Sequence, residues 1–113
     1  MIFPDDDDGR VLKGLFESGV DLQKPRLIEF YCYCKEHHVK EIADKFEEAG
    51  FSPDIFEDKE SEDTATRYSI YGSKKMVPQY DKIIGIQIQL NEVLKEFETK
   101  CDGWGTLSTP SEQ

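Results

Sequence analysis

The sequence predicts an α+β domain in which helices cover one face of an antiparallel sheet. Three segments carry apolar residues at the spacing of amphipathic helices, and segments rich in aromatic and β-branched residues lie between them. Many of the boundaries between these segments hold a glycine or a proline, namely Gly19, Pro25, Gly50 and Pro78. Together these observations predict alternating helices and strands.

The length of 113 residues is that of one domain. A chain of this size can form a single core that buries about two-thirds of the surface of the unfolded chain. We therefore expect one domain over residues 1–113, with a folded core at about 4–107. The polar segment 108–113 is expected to be a flexible tail.

The first predicted helix begins at a run of four aspartates. Asp5 to Asp8 suit a helix N-terminus, because carboxylates there cap free N–H groups and interact favourably with the helix dipole. Gly19 ends the helix. Its apolar face comprises Val11, Leu12, Leu15 and Phe16.

Two further helices are predicted. The second runs from about Glu36 to Ala49 and stops at Gly50. The third begins near Pro78, which suits a first helical turn, and its periodic length of about 20 residues favours helix over strand. Their apolar stripes are Val39, Ile42, Ala43 and Phe46 in the second helix, and Tyr80, Ile83, Ile84, Gln87, Leu90, Leu94 and Phe97 in the third.

Four strands are predicted: Arg26 to Cys34, Phe51 to Glu57, Thr64 to Ser73 and about Cys101 to Leu107. The first alternates between two faces. One face holds Ile28, Phe30, Cys32 and Cys34 and is expected to line the core; the other holds Leu27, Glu29, Tyr31 and Tyr33.

Without the first helix the order of elements is βαββαβ, which is typical of a ferredoxin-like sandwich with an antiparallel sheet. The expected fold is therefore a ferredoxin-like α+β sandwich with an additional N-terminal helix. Such a sheet leaves one face open, and Tyr31, Tyr33 and Tyr71 alternate onto that face together with Arg67. Exposed apolar patches mark binding sites, so these tyrosines are candidate protein-binding residues. The alternative is that the first helix folds over this face and the tyrosines are simply packed.

The net charge of −10 is concentrated in two places. One is the aspartate run at residues 5–8, and the other is residues 54–63, which hold six acids and one lysine. Such patches attract a basic partner and repel nucleic-acid phosphates; alternatively, they are solvated segments that aid solubility. The candidate protein-binding acids in the second patch are Asp58, Glu60, Glu62 and Asp63.

The sequence predicts no catalytic residue, no cofactor and no metal site, and we expect that the protein is not an enzyme. Cys32, Cys34, His37 and His38 do not have the spacing of zinc ligands. Direct nucleic-acid binding is not expected either, because the aromatic strand lacks the basic motif of the RNA-recognition module. The odd number of cysteines, the lack of a signal peptide and the lack of a long apolar stretch predict a cytoplasmic protein that does not bind membranes.

The last predicted strand contains the only tryptophan, bracketed by two glycines. Glycine within a strand marks a bulge or a close approach, and a tryptophan buries a large ring whose N–H needs a partner. We expect Trp104 to be substantially buried, holding this strand against the sheet or a helix. The segment resembles the signature that closes the domain of the regulator of ribonuclease activity B family, a family that includes a bacterial inhibitor of ribonuclease E. The matching residues are Asp102, Gly103, Trp104, Gly105 and Thr106.

The opening of the chain is similar to that of the same family. It has an acidic start from Phe3 to Gly9, a short helix, then Gly19, Pro25 and an aromatic strand. The resemblance implies a non-enzymatic regulator that binds the non-catalytic region of a ribonuclease and modulates RNA degradation. It implies a mainly structural role for residues 102–106.

Two other classes stay open at this point. An immunity or antitoxin protein would use the same acidic patches to mask a basic nuclease. A small enzyme or ligand-binding α+β domain would instead hold a pocket on the open face.

Overall fold

A four-stranded antiparallel sheet organises residues 3–106, which are the residues that the computed structural model describes. Leu107, placed by prediction at the end of the last strand, and the predicted tail at 108–113 lie outside this range. The elements in chain order are helix α1 (Asp7–Glu17), strand β1 (Arg26–Cys34), a 3-10 turn (Glu36–His38), helix α2 (Val39–Glu48), strand β2 (Ser52–Glu57), strand β3 (Tyr68–Met76), helix α3 (Tyr80–Leu94), a second 3-10 turn (Lys95–Phe97) and strand β4 (Gly103–Thr106).

The strand order across the sheet is β2-β3-β1-β4, and all neighbours are antiparallel. Strands β1 and β2 point the same way with β3 between them, so the two βαβ units of the chain interleave. The predicted α+β class, with an antiparallel sheet and an extra N-terminal helix, is confirmed. The observed order is compatible with the ferredoxin-like arrangement.

The core lies between the sheet and the helices. The alternation predicted for β1 is confirmed, because Ile28, Phe30, Cys32 and Cys34 are all buried. Gly72 on β3 lies opposite Phe30, and a Cβ atom there would stand 2.2 Å from the ring of Phe46 on α2. Glycine at this position therefore allows α2 to pack closely against the sheet. Further buried residues of the core are Ile42, Ile70, Ile83, Leu90 and Leu94.

Some predicted boundaries are wrong. β3 begins at Tyr68 instead of Thr64, because the carboxylates of Asp58 and Asp63 accept hydrogen bonds from nearby backbone amides and hold residues 58–67 in a loop. The third helix begins at Tyr80, two residues after Pro78, because Gln79 keeps an extended backbone.

α1 packs against α3, and two of its aspartates anchor it there. Asp6 accepts hydrogen bonds from the Gly9 amide at 2.7 Å and from the hydroxyl of Tyr80 on α3. The Asp8 carboxylate accepts from Gln87 Nε2 of α3 at 3.1 Å and from Trp104 Nε1 of β4 at 2.8 Å. These bonds hold α1 against α3 and the edge strand β4, so the alternative in which it covers the open face is wrong. Helix α1 reaches only the margin of that face, where Asp8 and Val11 line a cavity with Tyr31.

The apolar face predicted for α1 is buried only in part. Leu12 is buried, whereas Val11 and Phe16 are 40% and 47% exposed. The reason is that α1 packs mainly on α3, one helix, which covers a narrower stripe than a sheet would.

We expect the Asp6–Tyr80 hydrogen bond to be visible in the titration of the tyrosines. The bond, together with burial, raises the pKa of Tyr80 to about 12, and the same hydroxyl with the Gly9 amide lowers the pKa of Asp6. The raised Tyr80 pKa contributes stability below its ordinary value of about 10, and that stability is lost as pH rises towards 12. The lowered Asp6 pKa contributes stability above about pH 4, and that stability is lost as pH falls further.

The measurement is an ultraviolet titration of tyrosine ionisation, with unfolding followed across the same pH range. Tyr80→Phe should remove the tyrosine that titrates near pH 12, and Asp6→Asn should shift that titration back towards about pH 10. Asp7→Asn is the matched control, because Asp7 is exposed and pairs with Arg10 rather than Tyr80. If Asp6→Asn left the titration unchanged, α1 would not be held by this bond.

Candidate functional site

Four aromatic rings form one cluster on the face of the sheet that the helices leave open. The rings of Tyr31 and Tyr71 stack with centroids 4.9 Å apart and planes 20° apart. Tyr33 meets Tyr31 edge-on at 6.1 Å, and Phe56 of β2 meets Tyr71 edge-on at 5.4 Å. We call Tyr31, Tyr33, Tyr71 and Phe56 the open-face aromatic cluster.

The structure brings together the three tyrosines that the sequence assigned to this face and adds Phe56. The tyrosines are half-buried against each other, whereas Phe56 is 56% exposed and is the most accessible ring of the cluster. Phe56 could have been found from the alternation of Ser52, Asp54 and Phe56, which share one side of β2. The signal was missed because β2 is short and interrupted by Pro53.

Carboxylates surround the open-face aromatic cluster. Burial, and then the nearby charge of Asp54, raise the pKa of Glu29 on the same face. Burial, and then the charge of Asp102, raise the pKa of Tyr31, and burial likewise raises that of Tyr71. Tyr31 and Tyr71 therefore keep their hydroxyl protons at neutral pH. Aromatic faces next to carboxylates suit the guanidinium or ammonium groups of a partner.

Arg67, predicted to face the open side, is engaged by the protein itself. Its guanidinium Nη2 lies 2.9 Å from Glu57 Oε2, and its Nε donates to the same oxygen at 3.1 Å. This ion pair joins the two ends of the loop between β2 and β3. The positive charge of Arg67 therefore offsets the negative charge of Glu57 at the end of β2.

The acidic loop, residues 58–67, lies beside the open-face aromatic cluster. Tyr33 on β1 lines a cavity of about 430 Å³ together with Ala65 and Thr66 of the loop. The structure thus brings the C-terminal part of the loop, Ala65 and Thr66, to Tyr33. The four acidic residues selected from the sequence lie earlier in the same loop. Asp58, Glu60, Glu62 and Asp63 are all exposed there.

Residues 101–106 support the cluster from β4. The Asp102 amide donates to the Tyr31 carbonyl at 2.8 Å, and Gly103 lies directly opposite Tyr31. A Cβ atom on Gly103 would stand 2.6 Å from the Tyr31 hydroxyl oxygen, so the tyrosine ring lies across the glycine. The pairing of β4 with β1 is regular from Gly103 to Thr106. Gly103 therefore marks a close approach and not a bulge.

Trp104 occupies the other face of the same strand. It lies opposite Phe30, packs against the core and is half-buried, with its indole N–H bonded to Asp8. The segment at residues 101–106 thus places Trp104 against α1 on one face and Gly103 beneath the ring of Tyr31 on the other.

A family model described as Regulator of ribonuclease activity B matches residues 5–106. The chain belongs to this family. The match extends from the aspartates before α1 to the end of β4, so it includes the open-face aromatic cluster and the acidic loop. A search of curated proteins finds no match.

Two cysteines of β1 and the two histidines that follow it are arranged as structural residues. Burial raises the pKa of Cys32 to about 12 and that of Cys34 to about 11, so both thiols are protonated and unreactive at neutral pH. The rings of His37 and His38 lie 3.9 Å apart, and His38 packs edge-on against Phe97.

Residues 3–106 contain neither a metal-binding cluster nor a membrane-spanning helix. In that range, no group of three or more His, Cys, Asp or Glu side chains is arranged to hold a metal ion. The same part of the chain contains no helix with the length and apolar character that crossing a bilayer requires.

One apolar cavity of about 420 Å³ lies away from the open face. It sits between the start of the chain and the start of α3. This cavity is therefore not the open-face pocket that the third class of function, a ligand-binding domain, would require. Its lining includes Phe3, Leu12, Leu22, Val77, Pro78 and Tyr80.

We predict that Gly103→Ala displaces the Tyr31 ring. The new methyl group would overlap the ring, and loss of the stacked contact with Tyr71 should cost about 0.5–1.5 kcal/mol of stability. Nuclear magnetic resonance shifts of the tyrosine rings and denaturant unfolding measure both effects.

Gly105→Ala is the matched control for Gly103→Ala. Gly105 lies on the same strand as Gly103, opposite Glu29 of β1, and a Cβ atom at Gly105 would meet nothing within 4 Å. It should leave the ring shifts unchanged and the stability equal or slightly higher. Equal effects of the two substitutions would show that the ring does not depend on Gly103.

Proposed function

We propose that this protein is a non-enzymatic regulator that binds a ribonuclease of the ribonuclease E type and lowers its activity. The open-face aromatic cluster is the observation that carries the proposal, because four adjoining rings lie on a sheet face that the helices do not cover. The family match supports a ribonuclease as the regulated enzyme. The three cysteines are free thiols, which is consistent with action in a reducing compartment such as the cytoplasm.

The open-face aromatic cluster has the composition of a binding hot spot. Tyrosine and phenylalanine are enriched at the centres of protein interfaces, where they bury large areas with few rotamers to order. Glu29 and Asp54 supply a polar rim near the rings. A partner that covers the rings would desolvate Phe56 most, because it is the most exposed of the four.

Charge favours a basic protein partner over RNA. The chain carries a net charge of −10, and its acidic loop adjoins the open-face aromatic cluster. Nucleic acids bind mainly through lysine and arginine contacts to phosphates, which an acidic face disfavours. A ribonuclease holds RNA with such basic residues, so an acidic regulator that covers them would compete with RNA for the same cations.

We expect Tyr31→Ala combined with Tyr33→Ala to weaken binding to purified ribonuclease E by at least about 2 kcal/mol, or about 30-fold in Kd. The physical reason is the loss of two ring surfaces from the centre of the contact. Titration calorimetry measures the affinity, and circular dichroism with thermal unfolding shows that the sheet persists. Ile88→Ala is the control, because Ile88 is 60% exposed on α3 in the helix layer. An unchanged Kd for a folded double variant would refute this face as the contact surface.

Neutralising the acidic loop should slow association more than it speeds dissociation. The variant carries Asp58→Asn, Glu60→Gln, Glu62→Gln and Asp63→Asn, in which the amide oxygens still accept the backbone bonds of the loop. Stopped-flow mixing with ribonuclease E at several salt concentrations measures the rates, because salt screens exposed charges over about 10 Å at 0.1 M.

The control for the loop variant removes the same amount of charge from the helix layer. It neutralises four exposed glutamates by substitution with glutamine: Glu41, Glu47, Glu92 and Glu96. If both variants slow association equally, the net charge of the protein matters and the position of the loop does not.

A further inference from the structure

Strand β2 forms one edge of the sheet, and its outer side has no neighbouring strand among residues 3–106. The hydrogen bond made by Asp58, the first residue of the acidic loop, shows which backbone N–H and C=O groups of β2 point away from β3. The Asp58 amide donates to the carbonyl of Arg67, directly opposite, at 2.7 Å, so this pair is a hydrogen-bonded one. Bonded pairs alternate along an antiparallel ladder. The backbone groups of Pro53, Ile55 and Glu57 therefore point away from β3.

This outer edge is able to accept another strand. Pro53 has no N–H to donate, but Ile55 and Glu57 each present an N–H and a carbonyl outwards. Natural sheets usually protect such an edge with charges, bulges or a covering loop. Here two large apolar side chains flank the edge: Ile55 is 49% exposed on the helix side, and Phe56 is 56% exposed on the open side.

The negative charge along and beside β2 favours a basic segment as the occupant of this edge. Residues 54–63 hold six acids and one lysine. Of these acids, Glu57 forms an ion pair, with Arg67. A second copy of this strand would bring two such patches together, and like charges facing each other are destabilising. An extended segment with lysine or arginine among apolar residues complements both the carboxylates and the exposed side chains.

We infer that the outer edge of β2 binds an extended, basic and apolar segment of the partner as a fifth strand of the sheet. The inference rests on the proposed function, since it names how the ribonuclease partner is held. Main-chain hydrogen bonds to Ile55 and Glu57 provide the register, as in other complexes formed by strand addition. Alternate side chains of the added strand contact Phe56 on one face and Ile55 on the other.

The decisive variant is Ile55→Pro, compared with Ile55→Ala. Proline removes the outward N–H of residue 55 without removing a bond to β3, and Pro53 shows that this strand accommodates proline on the same side. Alanine removes the side chain and keeps the N–H. We expect Ile55→Pro to weaken binding to ribonuclease E at least tenfold beyond Ile55→Ala.

A second measurement does not depend on a variant that folds. Amide hydrogen exchange of the unmodified protein is followed with ribonuclease E and, separately, with a synthetic peptide of alternating arginine and valine residues. The amides of Ile55 and Glu57 should exchange at least tenfold more slowly in either complex. Those of Ser69 and Tyr71, which already bond to β2, should change little.

The outcomes separate this inference from the proposed function. If the double tyrosine variant loses ribonuclease binding while Ile55→Pro matches Ile55→Ala and the two amides stay unprotected, the edge inference is overturned and the function stands. If ribonuclease E does not bind at all, the proposed function fails, whereas peptide protection of Ile55 and Glu57 would still support the edge. Protection of the same amides in the protein alone, rising with its concentration, would show that a second copy occupies the edge and would overturn the inference.

Discussion

The strict alternation of strand β1 is the constraint on which the rest of the structure depends. β1 is an inner strand that pairs along all nine of its residues with β3 and along four with β4. A shift of one residue would move Phe30 and Cys32 to the open face and the tyrosines into the core. Two glycines of the sheet are required by this register, since Gly72 makes room on the core side and Gly103 on the open side.

The same register explains how an acidic protein can carry an aromatic surface on one face of its sheet. The rings of Tyr31 and Tyr71 bury much of each other, so the open face holds aromatic surface without exposing whole rings. The carboxylates lie at its margins and in the loop beyond β2. In the complex proposed above, this separation would let charge guide the encounter while apolar contact supplies affinity.

Local patterns allowed much of the fold to be predicted from the sequence. The alternation of β1 and the helical stripes of α2 and α3 are signals of neighbouring residues. They identified the core correctly and assigned the three tyrosines to the correct face of the sheet. Phe56 was missed because β2 is short and interrupted by Pro53. The start of β3 was missed because Asp58 and Asp63 hold the preceding residues in a loop through hydrogen bonds to nearby amides, which compete with strand propensity. The aspartates before α1 were recognised as caps, but their bonds to Tyr80, Gln87 and Trp104 are contacts across the whole sequence, which no local pattern contains.

The hydrogen bond between Trp104 and Asp8 spans 96 positions and joins the first helix to the last strand. Closing a loop costs more entropy the longer it is, and contacts between residues so far apart in sequence slow the folding of small domains. The indole concerned is the only one in the chain. Its intrinsic fluorescence is therefore a natural reporter of one event, the docking of α1 against β4.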